Sequence, residues 1–420
     1  MKSEFKSVSM IGLGYIGLPT AAVIASRGVE VIGVDVNVHA VETINSGRIH
    51  IVEPDLDALV HEVVRQGKLR ATTQAERADA YLIAVPTPFK DGHKPDLDYV
   101  EAAARSVAKV LKKGDLVILE STSPVGTTEQ LAAWMAEERP DLSFPQQAGG
   151  SADINVAYCP ERVLPGKVIQ ELVENDRVIG GMTETCAKRA QSLYRIFVRG
   201  ECLITNARTA EMCKLTENSF RDVNIAFANE LSLICDELNI NVWDLVRLAN
   251  RHPRVNILQP GPGVGGHCIA VDPWFIVDSA PDSARIIRTA RLVNDSKPEF
   301  VIGKVLDAAR NLSNPVIACL GLAFKPDIDD LRESPALEIT KVLAEKGLGR
   351  IIAVEPNIDT LPAALSSQVE LMDLEEACVL ADIIVILVDH RQFLQVDWSG
   401  IDRSVIVDTK GVLSRKSSAA

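Results

Sequence analysis

The stretch SVSMIGLGYIGLPTAAVIASRGVEVIGVD, residues 7–35, decides the fold of the amino-terminal third. A short apolar run ends in the glycine-rich segment 12–17, a helical stretch follows, and a second apolar run ends at Asp35. A glycine-rich turn that opens a helix lets the backbone approach a pyrophosphate closely. The acidic residue 18 positions after Gly17 suits the hydroxyl groups of an adenosine ribose. The stretch therefore predicts a dinucleotide-binding domain; a glycine-rich turn in an unrelated α/β domain is the alternative.

The residues after Asp35 bear on which dinucleotide is bound. Val36 and Asn37 follow it, with no arginine for a 2′-phosphate, so the sequence favours NAD over NADP. Further strand-like runs at 80–85, 116–119, 154–158 and 178–179 alternate with helical patterns. This alternation predicts a doubly wound parallel sheet, whose ligands lie beyond the carboxyl ends of the strands.

Composition and charge exclude several classes of partner. The chain has 420 residues, a net charge of −13 and a pI near 5.1, which argues against a nucleic acid or an anionic membrane as partner. Its eight cysteines are scattered without a CxxC pair, so reduced thiols are expected and a metal site is not. The amino-terminal residues lack the apolar core of a signal peptide, and no apolar run approaches the ~20 residues of a membrane span. We expect a cytoplasmic protein.

A single long helix is predicted over residues 209–238, which contain no Gly or Pro and have apolar residues at a helical period. Lys214, Asn218, Arg221 and Asp222 share one face of this helix. They either form a solvated face or contact a ligand; the several asparagines favour contacts, because Asn is a poor helix former. A rod of about 45 Å commonly bridges domains or forms a dimer interface.

The segment GPGVGGHCIAVDP, residues 261–273, places four glycines before Cys268. Glycines allow the backbone to pass close to a ligand, and a thiol beside such a loop can act as a nucleophile. A structural turn followed by a small buried residue is the alternative interpretation. His252 and Arg254, just upstream, would suit a phosphate or carboxylate ligand.

The last third repeats the order of the first third in a weaker form. Gly321 follows a strand-like run as Gly12 does, and Glu355 follows the next run as Asp35 does. The GxGxxG pattern is missing, and Phe324-Lys325 stands there instead, which predicts a Rossmann-like lobe for a different phosphate-bearing ligand. The expected fold class is α/β, with two Rossmann-like doubly wound parallel-sheet domains joined by a long central helix. The expected domain bounds are 1–205, 206–305 and 306–420.

Six motifs occur along the chain in a fixed order: Gly12-x-Gly14-Tyr15-x-Gly17, Glu120-Ser-Thr122-Ser-Pro-Val-Gly126, Cys159-Pro-Glu161-Arg162, Glu211-x-x-Lys214-x-x-x-Asn218, Gly265-Gly266-x-Cys268 and Phe324-Lys325-Pro326. In this combination the chain resembles the UDP-glucose/GDP-mannose dehydrogenase family over essentially its full length. The resemblance implies that the first domain binds NAD and that the last binds a UDP-sugar. The long central helix, in turn, predicts a homodimer or a higher homo-oligomer formed through it.

The resemblance implies that the C6 hydroxyl of a UDP-sugar is oxidised to a carboxylate, with two NAD⁺ reduced and no aldehyde released. Cys268 would attack the aldehyde and carry a thiohemiacetal and then a thioester. Lys214 and Asn218 would stabilise the oxyanion and move a proton. Asp272 would hold or activate water, and Glu161 and Thr122 would assist hydrolysis of the thioester.

The resemblance also implies the binding residues. The cofactor would contact Gly12, Gly14, Tyr15, Ile16, Gly17, Asp35, Thr87 and Thr128. The UDP-sugar would contact Arg162, Val163, Lys214, Asn218, Arg221, His252, Arg254, Gly265, Phe324, Lys325, Arg332 and Lys410. Arg254 can come from the neighbouring subunit in such enzymes.

The wording of three motifs, ESTSPVGTT, CPERVLPG and GPGVGGHCIAVDPW, resembles the branch of this family that acts on UDP-N-acetylhexosamines. The expected substrate is UDP-N-acetyl-D-mannosamine, for enterobacterial common antigen or a related surface polysaccharide. UDP-N-acetylglucosamine is the alternative, because the two sugars differ at one carbon. The segment 162–166 departs from the UDP-glucose branch, which has phenylalanine and leucine there. More distant alternatives are a two-electron hydroxyacid-type dehydrogenase and a non-catalytic NAD-binding regulator.

Overall fold

A computed structural model describes residues 4–164, 166–266, 268–365, 367–401 and 404–417. The chain forms two compact units, Met1–Glu217 and Asn218–Ala420. The boundary lies inside a helix of 31 residues, Ala207–Glu237, close to the predicted bounds of the long central helix. The long central helix is thus confirmed.

The first unit is built on strands that alternate with helices. Its strands are β1 (Ser7–Ile11), β2 (Glu30–Val34), β3 (Leu69–Thr72), β4 (Ala80–Ile83), β5 (Phe89–Lys90), β6 (Lys94–Pro95), β7 (Leu116–Leu119), β8 (Asn155–Tyr158), β9 (Arg177–Gly181) and β10 (Cys202–Asn206). Its helices are α1 (Gly17–Ser26), α2 (Val38–Asn45), α3 (Leu56–Arg65), α4 (Asp98–Ala108), α5 (Thr127–Glu138), α6 (Pro145–Ala148), α7 (Val168–Glu174), α8 (Glu184–Tyr194) and the beginning of α9 (Ala207–Glu237).

In the described residues of this unit, eight strands form one sheet in the order β10-β9-β8-β7-β4-β1-β2-β3. Neighbouring strands are parallel except β8 and β9, where Ala157 lies opposite Gly181 in an antiparallel pair. Strands β5 and β6 form a separate antiparallel hairpin. If the β5–β6 hairpin is set aside, the order β3-β2-β1-β4-β7-β8 is the strand order 3-2-1-4-5-6 of a Rossmann fold, so the predicted fold is confirmed.

The second unit continues with helices and then a smaller sheet. After α9 its helices are α10 (Val242–Ala249), α11 (Asp272–Ser279), α12 (Arg285–Ala309), α13 (Pro335–Glu345), α14 (Leu374–Leu380), α15 (Arg391–Gln395) and α16 (Val412–Ser417). Its strands are β11 (Val316–Leu320), β12 (Arg350–Val354), β13 (Val369–Leu371), β14 (Ile383–Ile386) and β15 (Val405–Asp408). They form a parallel sheet in the order β13-β12-β11-β14-β15.

Both sheets are buried on their two faces. Alternate residues of a strand point to opposite faces, and in both sheets each set packs into its own hydrophobic cluster. Along β4, Ala80 and Leu82 pack into one hydrophobic cluster and Tyr81 and Ile83 into another. Along β14, residues 383 and 385 are likewise separated from residues 384 and 386. Helices cover both faces, as a doubly wound parallel sheet requires. None of the helices in the described residues combines the length and the apolar composition that a membrane span needs.

The two lobes repeat one local design. Gly12 has φ +90° and donates its N–H to the Val34 oxygen at 2.8 Å; Gly321 has φ +93° and donates to the Val354 oxygen at 2.8 Å. The acid after the second strand then accepts the next N–H of the turn. Glu355 accepts it from Leu322 at 2.8 Å, as Asp35 does in the first lobe. The weak internal similarity of the sequence therefore reflects a shared fold.

Candidate active site

The glycine-rich turn after β1 has the shape that a dinucleotide requires. A Cβ at Gly12 would lie 2.5 Å from the Ala84 oxygen, and one at Gly17 would lie 1.8 Å from the Gly12 oxygen. The fold itself therefore requires both glycines. A Cβ at the exposed Gly14 would meet nothing within 4 Å, so this glycine leaves open space beside the start of α1. The turn thus fits the pyrophosphate of NAD.

Asp35 holds this turn from the end of β2. Its carboxylate accepts the N–H of Leu13 at 2.9 Å and that of Asn37 at 2.8 Å. Tyr15, exposed, and Ile16, half-buried, belong to the same turn. His50 also belongs to this neighbourhood: burial lowers the pKa of its imidazole, and the nearby charge of Asp35 opposes that effect. Sequence reasoning missed His50, which lies outside every motif.

Two loops meet at the carboxyl ends of β4 and β7. The hydroxyl of Thr87 donates to the Thr122 carbonyl at 2.6 Å, and the hydroxyl of Ser121 donates to the Val85 carbonyl at 2.7 Å. Thr87 and Thr122 are both half-buried. The structure thus brings together two predicted residues, one proposed for the cofactor and one for hydrolysis.

Thr128 lies on α5 and is fully buried. Its N–H and its hydroxyl both donate to Glu211 Oε1, at 2.7 and 2.6 Å, and the N–H of Gly126 donates to Glu211 Oε2 at 2.6 Å. Glu211 on α9 therefore caps the beginning of α5 from 83 residues away. Burial raises the pKa of Glu211. The sequence marked Glu211 as part of a motif but did not indicate this role.

Glu161 follows β8 and is buried in an ion pair. Its Oε2 accepts from the guanidinium of Arg177 at 2.7 Å, and its Oε1 accepts the N–H of Arg162 at 2.6 Å. The side chain of Arg162 pairs with Glu217 at 3.0 Å.

Two further predicted residues of this unit are half-buried: Val163 packs against the core, and Lys214 lies on α9. Sequence reasoning missed the role of Arg177 as the partner of Glu161, because no sequence motif connects β9 with the loop after β8.

In the second unit, three predicted catalytic residues come together. The side-chain amide of Asn218 donates to the carboxylate of Asp272, which is buried at the beginning of α11. The N–H of Asp272 donates to the Cys268 carbonyl at 2.9 Å. Cys268 itself is exposed. An accessible thiol thus lies four residues from a carboxylate that is held by an amide.

The glycines before Cys268 are packed against the loop that follows β11. A Cβ at Gly265 would lie 2.3 Å from the Glu333 oxygen, and one at Gly266 would lie 2.9 Å from the ring of Phe324. The N–H of Gly266 donates to the Glu333 carbonyl at 3.3 Å. These glycines are therefore needed for close backbone packing that shapes the cysteine loop. His267 in this loop lies outside the described residues.

A buried chain of polar side chains holds the beginning of the same loop. Asn229 Oδ1 accepts the N–H of Gly261 at 2.9 Å, and its amide donates to Asn294 Oδ1 at 2.8 Å. Asn294 donates to Asp222 Oδ1 at 2.8 Å, and Arg291 donates to the same oxygen at 2.6 Å. Burial raises the pKa of Asp222, and the charge of Arg291 opposes this rise. The sequence placed Asp222 on a polar helix face but did not predict its partners.

The remaining predicted cations are spread over the second unit. Arg332 pairs with Asp330 at 2.7 Å, and Lys410 lies 3.4 Å from Asp389. The others share an exposed position; they are Arg221, His252, Arg254 and Lys325. Throughout the described ranges, no group of three or more His, Cys, Asp and Glu side chains is arranged to hold a metal ion.

Comparison with known proteins identifies three consecutive parts of the chain. The UDP-glucose/GDP-mannose dehydrogenase family is matched by its NAD binding domain at residues 6–198, its central domain at 208–296 and its UDP binding domain at 318–415.

Similar proteins extend over nearly the whole chain. NDP-N-acetyl-D-galactosaminuronic acid dehydrogenase from Ralstonia nicotianae is 66% identical, over 99% of this chain and 98% of the relative. UDP-N-acetyl-D-mannosamine dehydrogenase from Yersinia pestis is also 66% identical, over 97% and 99%. The solved structure of UDP-D-ManNAc dehydrogenase from Pyrococcus horikoshii is 40% identical, with a TM-score of 0.85 over 97% of this chain and 96% of the other. The chain is an NAD-dependent UDP-sugar dehydrogenase, and it belongs to the UDP-glucose/GDP-mannose dehydrogenase family.

Proposed function

We propose that this enzyme oxidises the C6 hydroxyl of UDP-N-acetyl-D-mannosamine to the carboxylate through a thioester on Cys268, with two NAD⁺ reduced for each sugar. The observation that carries the proposal is a pair of hydrogen bonds in the second unit: the Asn218 amide donates to the Asp272 carboxylate, and the backbone N–H of Asp272 donates to the Cys268 carbonyl. An exposed thiol, four residues before a buried carboxylate that a helix-borne amide holds, suits covalent oxidation of an aldehyde. A two-electron hydroxyacid dehydrogenase would need no such thiol.

When bound, NAD⁺ supplies the hydride acceptor for both oxidations. The Cys268 thiolate forms a bond to C6 of the aldehyde as the C=O π bond opens and its oxygen takes up a proton. Loss of a hydride from C6 and of that proton converts the thiohemiacetal to a thioester. Lys214 and Asn218 donate hydrogen bonds to the developing oxyanion. Water then cleaves the C–S bond, with Asp272 and Thr122 positioning the water and Glu161 taking up its proton. The products are the carboxylate and the restored thiol.

We assign binding residues to each ligand in turn. The turn 12–17, together with Asp35, Thr87 and Thr128, would hold NAD. The hydroxyl of Thr128 already donates to Glu211, so Thr128 would contribute by fixing the shape of the loop around it. The substrate would be held by Arg162, Val163, Arg221, His252, Arg254, Gly265, Phe324, Lys325, Arg332 and Lys410. We propose an NAD-binding domain over 1–205, a central domain over 206–305 and a UDP-sugar-binding domain over 306–420.

A second sugar nucleotide is also a candidate substrate. The relative from Yersinia pestis is named for UDP-N-acetyl-D-mannosamine, and the equally similar relative from Ralstonia nicotianae is named for N-acetyl-D-galactosaminuronic acid. UDP-N-acetyl-D-galactosamine is therefore the second candidate substrate. The mannosamine compound is preferred, because relatives with that name recur at 64–66% identity. The product is a nucleotide-linked aminouronate, suited to a surface polysaccharide such as enterobacterial common antigen.

A homodimer is proposed, with α9 at its interface. Phe220, Phe227 and Ile234 on this helix are 71%, 52% and 45% exposed and recur every seven residues. Residues seven apart lie on one side of a helix, so they form an apolar stripe that a second copy could cover.

A cytoplasmic location is also proposed. The scattered cysteines of the sequence support it, because they are typical of reduced thiols.

The substrate is tested with purified enzyme, NAD⁺ and UDP-N-acetylmannosamine, UDP-N-acetylgalactosamine, UDP-N-acetylglucosamine or UDP-glucose. We expect kcat/KM for UDP-N-acetylmannosamine to exceed the others by at least about tenfold. A higher kcat/KM for the galactosamine compound would replace the first candidate with the second. Absence of NADH formation with all four sugars would favour the non-catalytic regulator.

A further inference from the structure

Glu120, which follows β7, is a buried carboxyl group that the proposed chemistry leaves unused. It is only 3% exposed. Its Oε1 accepts the hydroxyl of Tyr194 at 2.5 Å, whereas its Oε2 has no hydrogen-bond partner among the described residues. A buried carboxyl oxygen without a partner is costly, unless the group carries a proton or exchanges one.

Glu120 lies beside Glu161 because their strands are neighbours. Leu119 at the end of β7 is the register partner of Tyr158 at the end of β8. The two carboxyl groups follow these residues at the same edge of the sheet, and the charge of Glu161 acts on Glu120.

The two carboxyl groups have different surroundings. Both oxygens of Glu161 accept strong donors, Arg177 at 2.7 Å and the N–H of Arg162 at 2.6 Å. Within the described part of the chain, Glu120 has Tyr194 as its single donor, and the guanidinium of Arg177 lies 5.8 Å from the centre of that tyrosine ring. Both oxygens of Glu161 are therefore occupied by donors, whereas Glu120 keeps one buried oxygen that can take a proton.

The charges around Glu120 support this division. Burial, and then the charge of Glu161, raise the pKa of Glu120 to about 7, and Tyr194 and Arg177 oppose the rise. The remaining titratable group in the cluster is Cys159, whose pKa is raised by burial and which stays a thiol. Two neighbouring carboxyl groups with such different surroundings are suited to pass a proton from one to the other.

We propose that Glu120 accepts, through Glu161, the proton released when water cleaves the thioester. This inference rests on the proposed function. The O–H bond of the attacking water breaks and its proton passes to Glu161, whose anionic form is restored as the proton moves on to Glu120 Oε2. The proton then leaves to solvent before the next turnover. Glu120 touches no reacting atom and is a positioning residue.

The test uses kcat against pH with Glu120→Gln and Tyr194→Phe. The wild-type kcat is expected to rise with pH through about 7, because Glu120 must be ionised to accept a proton. Glu120→Gln should lose this rise and fall at least about tenfold at alkaline pH. Tyr194→Phe should keep the rise but at a higher pH, because the Tyr194 hydrogen bond lowers the pKa of Glu120. An unchanged profile in both variants would overturn the proposal.

A readout that needs no turnover separates this proposal from the function itself. Infrared spectroscopy of the full chain should detect the C=O stretch of a protonated buried carboxyl group that disappears as the pH rises through about 7. Glu120→Gln should abolish this band. If no UDP-sugar is oxidised, the proposed function fails. A wild-type spectrum without the band overturns the role of Glu120, whatever the activity.

Discussion

The side-chain oxygen of Asn229 accepts the backbone N–H of Gly261 at 2.9 Å, in a buried contact between α9 and the cysteine loop. The loop continues from Gly261 to Cys268, so the helix fixes the start of the segment that carries the thiol. The same asparagine donates to Asn294 at 2.8 Å. Asn229 thus connects α9, α12 and the loop.

Asn229→Ala should lower both stability and turnover. It leaves the N–H of Gly261 and the oxygen of Asn294 buried without this partner, at a cost of about 1–3 kcal/mol. The loosened loop should reduce kcat by up to about 10²-fold, because small displacements of a nucleophile are costly. Urea unfolding and steady-state kinetics measure the two effects.

Asn224→Ala is the matched control for Asn229. Asn224 lies on the same helix, and its amide donates to the Phe220 carbonyl of that helix at 2.6 Å. Its loss should change neither kcat nor the free energy of unfolding by a comparable amount. If the two variants behaved alike, the role assigned to the contact with Gly261 would be wrong.

The glycine-rich turn predicts opposite effects for two alanine substitutions. Gly14→Ala should keep the stability of the fold but weaken NAD⁺ binding, because its Cβ would enter open space at the cofactor turn. Gly17→Ala should destabilise the first unit, because its Cβ would lie 1.8 Å from the Gly12 oxygen. Thermal unfolding and NAD⁺ titration distinguish them. A Gly14→Ala enzyme with unchanged NAD⁺ affinity would contradict the assignment of the turn.

The stability of the second unit should depend on Glu355 at acid pH. Burial alone would raise the pKa of Glu355, but His390 and the N–H groups of Leu322 and Ala323 hold it down at about 2. Since the folded pKa is lower than the unfolded one, Glu355 stabilises the fold above about pH 4.5, and this contribution is lost as the pH falls towards 2.

Urea unfolding of Glu355→Gln measures this contribution. The variant should be less stable than the wild type at neutral pH, and the difference should shrink as the pH falls below about 4.5. Glu370→Gln, which removes an exposed ion pair with Arg350, is the control and should leave the acid dependence intact. A difference that stays constant down to low pH would refute the role of Glu355.

The apolar stripe on α9 predicts a dimer that one charge can break. Phe227→Asp places a carboxylate in the middle of the stripe, and the buried charge should shift the protein towards monomers. Sedimentation velocity measures the change. Val379→Asp is the control, because Val379 is 69% exposed on α14, away from the stripe. A Phe227→Asp protein with the wild-type sedimentation coefficient would place the interface elsewhere.

Local patterns in the sequence were sufficient for much of the fold. The apolar run 116–119 is β7, and the unbroken helical period over 209–238 is α9, because both depend on neighbouring residues alone. The edge strand β10 was missed, since Leu203 and Ile204 are exposed and lack an alternating pattern. The antiparallel pairing of β9 with β8 was also missed, because strand direction depends on the whole chain path.

The site residues likewise divide into those that local sequence patterns predict and those that only the folded structure brings together. Asp35 and Cys268 could be selected because glycine-rich segments precede them in the sequence. The partners that hold the site could not, because Glu211 caps a helix 83 residues away and Asn229 binds a loop 32 residues away. Such contacts form only after the helices and sheets are packed.

The central claim, covalent four-electron oxidation, predicts that Cys268→Ser still binds UDP-sugar and NAD⁺ but loses turnover by about 10³-fold or more. Seryl oxygen is a far weaker nucleophile than a thiolate, while the loop glycines and the binding residues are unchanged. Calorimetric titration of both ligands provides the control for binding. Near-normal turnover in this variant would rule out the thioester.

The most direct measurement is the number of NADH molecules formed for each UDP-N-acetylmannosamine consumed by the wild-type enzyme. Absorbance gives the NADH, and chromatography gives the remaining sugar nucleotide and its acidic product. The thioester route predicts two NADH and one carboxylate per sugar. One NADH per sugar, with an aldehyde as the product, would contradict it.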